Sequence, residues 1–304
     1  PAVLYTVMAY KILLPLFLLF TGVYSQNSSS ASIESVQPEK KQETKRPDFL
    51  QITENYLQTP VYSLKHKNGH RLKLIGVVHM AEASYYQKIL THTRPLGTVF
   101  FEGIYNGEVP KYQPLGSENS ALQKKKLKNM STYQTEMARK LELSDQIEHL
   151  SPEINWVHAD ISFFEFFASL MNFAIEFQKK EGVNFDLNKY YAAEHVLDED
   201  FSELPAGQRV FIKRQKIAQS IKESVEDICY TAKFSGFRDI LIVKRNKIAL
   251  SKISEKMSTE KEILDIGIVY GAAHVPHFLE VLTNEFNFTI ESLEWLDAWI
   301  LKSN

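Results

Sequence analysis

Apolar and polar side chains alternate through Val61–Lys65 and again from Arg71, where Arg71 and Lys73 oppose Leu72 and Leu74. A period of two marks a strand with one covered face. Past Leu74 the alternation stops, and Ile75–Val78 is apolar on both faces, which predicts a strand entering a covered interior. Asn68-Gly69 stands between the two segments and suits a type I′ turn, so the stretch predicts a hairpin. The next residues, "AEASYYQKILTHT", have helical spacing, and "GTVFFEGI" is another short buried strand. Strand, helix and strand at this separation predict a βαβ unit with a parallel pair.

The middle of the chain is helical by the same reading. Ser120–Leu143 is long and lysine-rich on one side. A capping box from Ser162 to Glu165 opens the phenylalanine-rich segment that follows, and Gln208–Tyr230 and Phe237–Lys256 complete the block. "ILDIGIVY" returns to a buried strand, a helix begins near Pro276, and "FNFTIESLEWL" closes as a strand. The expected fold class is α/β: a mixed central sheet with flanking helices and a large helical insertion.

The N-terminal pattern differs. Residues 1–25 contain an apolar run from Ile12 to Phe20, one lysine at Lys11, a possible start at Met8, and Val23 and Ser25 before Gln26 in a small-x-small arrangement. That predicts a signal peptide or a membrane anchor, the short run favouring the former. Residues 26–47 are rich in Ser, Gln, Glu and Lys and nearly free of large apolar groups, so they predict a disordered tether. Residues 48–304 form the folded body. It is expected outside the cytoplasm: secreted, periplasmic or anchored on the extracytoplasmic side.

Composition narrows the chemistry. The 35 basic and 37 acidic residues give a net charge of -2, which argues against a nucleic-acid partner. The one cysteine, Cys229, rules out an internal disulfide and a cysteine-based zinc site, so a metal would need His, Asp or Glu ligands. Two Gly-x-x-His units stand almost two hundred residues apart, Gly76–His79 and Gly271–His274, each ending an apolar run. Ligands of α/β sheets gather beyond the carboxyl ends of strands, where these imidazoles are expected. Glu102 ends "TVFFE" in the same way, and a buried carboxylate needs a cation or several donors. A metal held by His79, Glu102 and His274 would supply one; a structural arginine would be the other solution. Arg245, in "ILIVKRNKIAL", is the candidate. It is either solvated at the edge of its helix's apolar stripe or turned into the cleft to stabilise an oxyanion, with Asn246 donating beside it. His158 and Asp160, in "WVHADIS", would either line the cleft rim or, for Asp160, help to cap the following helix.

With those residues assembled, "GVVHMAEASYYQKI", "TVFFEGI", "KRNKIA" and "VYGAAHVPHFLEVL" occur in an order that resembles the TraB/GumN group, which includes the TIKI metalloproteases and is distantly similar to erythromycin esterases and ChaN-like proteins. The resemblance spans Val61 to the C-terminus. It implies that His79, Glu102, Arg245 and His274 take the family's functional positions. It also implies a divalent metal (manganese or cobalt, with zinc the further candidate) and hydrolysis of a peptide or small ester. The chain departs from the pattern in two ways. It lacks an arginine shortly after Glu102, and it has Pro276-His277 where the family often has Pro-Gly, which offers His277 as an extra ligand or base. Two other function classes use the same histidines. One is a non-catalytic haem- or metal-binding protein; the other is a metal-free esterase with His79 as general base.

Overall fold

A computed structural model describes residues 47–105, 132–182, 201–231, 235–260 and 262–302. The expected leader and nearly all of the tether lie outside the described residues, as do the first half of the Ser120–Leu143 helix and residues 106–111 of the segment after Glu102 where an arginine is lacking. In chain order the strands are β1 (Gln51–Ile52), β2 (Tyr56–His66), β3 (Arg71–Val77), β4 (Met80–Ala81), β5 (Thr98–Phe101), β6 (Ser144–Asp145), β7 (Trp156–His158), β8 (Asp265–Gly271) and β9 (Phe288–Ile300). The helices are α1 (Ala83–Thr93), α2 (Thr132–Lys140), α3 (Gln146–His149), α4 (Phe163–Glu181), α5 (Ala206–Tyr230), α6 (Ser235–Arg238), α7 (Lys244–Thr259) and α8 (Val275–Asn284). A π-helical turn, Asp239–Val243, joins α6 to α7, and a 3-10 turn, Ala272–His274, joins β8 to α8.

The fold is α/β, as the pattern predicts. The main sheet runs β9-β2-β3-β8-β5-β7, with β1 antiparallel to the start of β2. The β2–β3 and β2–β9 pairs are antiparallel, and β3–β8, β8–β5 and β5–β7 are parallel. The antiparallel half carries the hairpin. Its turn differs from expectation: Gly69 has φ +93°, whereas Asn68 does not have a positive φ, so the turn is not type I′. The Gly69 N–H donates to His66 O at 2.8 Å, which centres the turn on Lys67–Asn68 and leaves Gly69 as the residue that must adopt the left-handed conformation.

The βαβ expectation also needs one correction. β3 and β5 run parallel but are not neighbours, because β8 inserts between them. β8 is apolar on both faces, apart from its first residue and its glycines, and is buried from Ile266 to Gly271, which suits the centre of a sheet covered on both sides. The insertion matters for the site. Val77 pairs with Gly271, and Phe101 pairs with Val269, so three parallel strands end side by side. Gly76 allows this crowding: a Cβ there would meet Pro60 Cδ and Val275 Cγ2 at 3.1 Å and Ala272 Cα at 3.3 Å.

The helical insertion is tied to the sheet by Arg214 of α5, which is buried. Its guanidinium donates to the carbonyls of Leu141, Glu142 and Ile300 and pairs with Glu82 at 2.8 Å. A small second sheet, β4 with β6, carries the chain leaving β3 toward the insertion. Among the described residues no helix is long and apolar enough to cross a membrane.

Candidate active site

The carboxyl end of the parallel strands holds a buried ionic cluster. Glu102 follows β5, His274 lies in the turn after β8, and Arg245 and Asn246 open α7 immediately after the π-helical turn. Arg245 donates from Nη2 to Glu102 Oε1 at 2.5 Å, from Nη2 to Asp160 Oδ2 at 2.6 Å and from Nε to Asp160 Oδ1 at 2.9 Å. Its Nη1 lies 3.3 Å from both Leu241 O and His274 Nε2. All five guanidinium N–H groups therefore have a partner in the protein. The side chain is only 5% exposed, so the solvated reading of Arg245 is excluded, and Arg245 is the arginine that supplies the buried Glu102 with a cation.

Glu102 is gripped from two sides. Oε1 takes Arg245, and Oε2 accepts the Gly271 N–H in a short hydrogen bond. Gly271 suits this approach, since a Cβ there would stand 3.1 Å from Oε2. Burial alone would raise the Glu102 pKa, but Arg245, then His274 and His79, and the Gly271 N–H outweigh it and bring the group down to about 2. The acid is an anion at neutral pH.

His274 is fully buried. Its Nδ1 meets Asn246 Oδ1, while Asn246 Nδ2 donates to His274 O at 3.1 Å and to His277 Nδ1 at 3.1 Å. A carbonyl only accepts, so Nδ2 is correctly turned toward it and Oδ1 faces the ring. That puts the His274 proton on Nδ1 and the lone pair on Nε2. The Nε2 atom lies 3.6 Å from Glu102 Oε1. Burial lowers the His274 pKa most; Glu102 raises it in part, Arg245 lowers it further, and the net value is about 4. The ring is neutral near pH 7.

His79 arrives at the same end from β3. Its Nδ1 lies 2.9 Å from Gln146 Oε1, and it is close enough to help hold Glu102 ionised. The two Gly-x-x-His units thus bring both rings to bear on one carboxylate, because β8 lies beside both β3 and β5.

Asp160, expected either at the cleft rim or as a helix cap, belongs to this cluster and is not the cap. Ser162 caps α4 through the expected capping box, and Asp160 instead takes Arg245 together with the N–H groups of Gly103 (2.9 Å) and Ile161 (2.7 Å). The spacing Asp160-x-Ser162 favoured a cap; only the position of β7 beside β5 reveals the arginine. His158 also faces the loop after Glu102, its Nε2 lying 2.6 Å from Gly103 O. It therefore braces the backbone that carries Glu102. His277 is half-buried, and Asn246 Nδ2 donates to its Nδ1 at 3.1 Å.

Does this donor set suit a divalent cation? Among the described residues no three His, Cys, Asp or Glu side chains stand together in metal-holding geometry. Two of the three expected ligands are nonetheless adjacent: the ionised Oε1 of Glu102 and the lone-pair Nε2 of His274, at 3.6 Å. Glu102 and Asp160 share the single guanidinium of Arg245. A cation at the Glu102–His274 edge would draw on those two groups, with His79 the third ligand that the resemblance implies. Comparison with protein-family models, with curated proteins and with solved structures gave no match in any of the three.

Proposed function

We propose that this chain is a hydrolase of the TraB/GumN type, acting on an amide or ester outside the cytoplasm, with a peptide as the favoured substrate. The observation that carries the reading is the meeting of Glu102, Arg245, Asn246 and His274 around one buried carboxylate, although they come from three separate stretches of chain. A histidine whose Nε2 lies between the Arg245 guanidinium and an ionised acid 3.6 Å away supports a functional reading of the cluster.

Glu102, His274 and His79 would hold the divalent ion, which when bound would supply Lewis acidity toward the scissile carbonyl and lower the pKa of a water. The remaining work falls to the chain. Arg245 keeps Glu102 ionised, so the carboxylate is available as ligand or general base at neutral pH. Nη1 makes the two longest contacts of the guanidinium, both 3.3 Å, and is the nitrogen that would turn to a developing oxyanion. Asp160 anchors the other edge of the guanidinium, so that this movement does not release the whole side chain. Asn246 fixes the His274 ring.

One observation favours a second reading. Arg245 already provides a positive charge to both Glu102 and His274, so the same centre would run metal-free hydrolysis with His79 as general base. Elemental analysis of the purified chain, followed by hydrolysis of a peptide library and an ester panel with and without chelator, separates the two. A divalent ion in wild type that His274→Ala abolishes, with chelator-sensitive turnover, supports the metal-dependent reading. Undiminished turnover in chelator supports the metal-free one, and no turnover under any of these conditions removes both. Stoichiometric haem or metal uptake without turnover would instead support a binding protein.

A further inference from the structure

Both Gly-x-x-His rings are tied by Nδ1 to the oxygen of a side-chain carboxamide: His274 to Asn246 and His79 to Gln146. Asn246 belongs to the sequence motif, whereas Gln146 lies in the insertion, outside every segment that carries the resemblance. Resting on the hydrolase reading above, we propose that Gln146 is the positioning residue of His79, holding its proton on Nδ1 and fixing the orientation of its ring at the strand ends.

The placement of Gln146 is built rather than incidental. Its backbone N–H donates to His79 O at 2.8 Å, so one residue grips His79 through both main chain and side chain. Asp145, the residue before it, pairs with Met80 across the β4–β6 sheet and caps α3 by accepting the Ile147 N–H at 2.9 Å. Thr135 of α2 donates to the other Asp145 oxygen at 2.7 Å, which anchors the cap to the helix before it. Tyr86 of α1 lies against the same turn: its hydroxyl bridges Val78 O and Ser144 O, and its ring stacks on His149. These contacts place the Gln146 side chain from the backbone outward. Outer hydrogen bonds of this kind select the tautomer and orientation of a ligating or basic imidazole. The two carboxamides would then give both histidines the same tautomer, with the proton on Nδ1.

The test is long-range proton–nitrogen correlation NMR of the isotope-labelled full chain, with His79→Asn and His274→Asn variants assigning the two rings. The expected wild-type result is a single His79 tautomer with the proton on Nδ1. Gln146→Met keeps the length and removes the acceptor, so the His79 signals should move to an average of both tautomers while those of His274 stay fixed. Gln146→Glu retains an acceptor and should retain the Nδ1 proton. A wild-type His79 protonated on Nε2, or a Gln146→Met spectrum identical to wild type, overturns the proposal. Manganese titration supplies an independent arm, in which Gln146→Met should weaken affinity about 10- to 100-fold. Equal affinity in the two proteins counts against positioning. Absence of manganese binding by wild type itself counts against the metal-dependent reading and leaves the tautomer result to decide the role of Gln146.

Discussion

Replacing Arg245 with methionine isolates the electrostatic core of the site. The substitution keeps the aliphatic stem and removes the cation shared by Glu102 and Asp160, whose side chains are 12% and 0% exposed. Removing one partner of a buried ion pair costs about 3–5 kcal/mol, because the other charge is left uncompensated. The titration of Glu102 gives a similar figure. The protein holds it at about 2 against an ordinary 4.5, a preference for the ionised form of ~3 kcal/mol. The sign of the pH dependence follows. In wild type the folded value is depressed, so this stability is present above about 4.5 and is lost as pH falls toward about 2. In Arg245→Met burial dominates, the Glu102 value rises above 4.5, and the group's contribution is present at low pH and lost as pH rises. The gap between wild type and variant should therefore be widest near neutral pH and should narrow on acidification toward pH 4.5. Urea denaturation of both proteins across that range measures it, and Glu102→Gln in the Arg245→Met background should recover part of the loss at pH 7. A gap under about 1 kcal/mol, or one that does not change with pH, would refute the assignment of Arg245 as the buried counter-ion.

His274 makes its own pH prediction. Its value is pushed from 6.5 to about 4, so stability should fall as pH drops through that interval; His274→Asn should lose that part of the slope, which is at most about 1.4 kcal/mol per pH unit. Denaturation midpoints against pH give the comparison, and equal slopes in the two proteins would contradict a buried neutral ring. Gly76→Ala should cost about 1–3 kcal/mol by overpacking, since its Cβ would press on Pro60, Val275 and the Ala272 backbone. A thermal melt unchanged from wild type would mean that the three strand ends are less crowded than described.

The legible part of this fold is the part written in short-range periodicity. The hairpin, the buried strands and α1, α5 and α8 follow from residue spacing, and the Ser162–Glu165 capping box appears as expected. What spacing does not carry is adjacency. Strands β3 and β5 read as a neighbouring pair, because nothing in residues 71–101 announces that β8, over one hundred and sixty residues later, will enter between them. For the same reason Glu102, Arg245 and His274 are individually legible as candidates, but the partner of Arg245 is not. Asp160 looks like a helix cap in sequence and becomes the second carboxylate only through the β5–β7 pairing. Gln146 has no local signal, since a glutamine opening a four-residue helix is ordinary. The turn at Asn68-Gly69 shows the opposite limit: the residue pair identifies a hairpin without deciding which residue takes the positive φ.

Turnover decides whether the cluster at the strand ends is a reacting centre rather than an internal brace. The purified chain is assayed against a peptide library and an ester panel in the presence of manganese, alongside Glu102→Gln and His274→Ala variants whose folding is verified by circular dichroism. Wild type should cleave, and each variant should lose at least about a hundredfold in rate. Folded variants that cleave as fast as wild type would contradict a reacting centre.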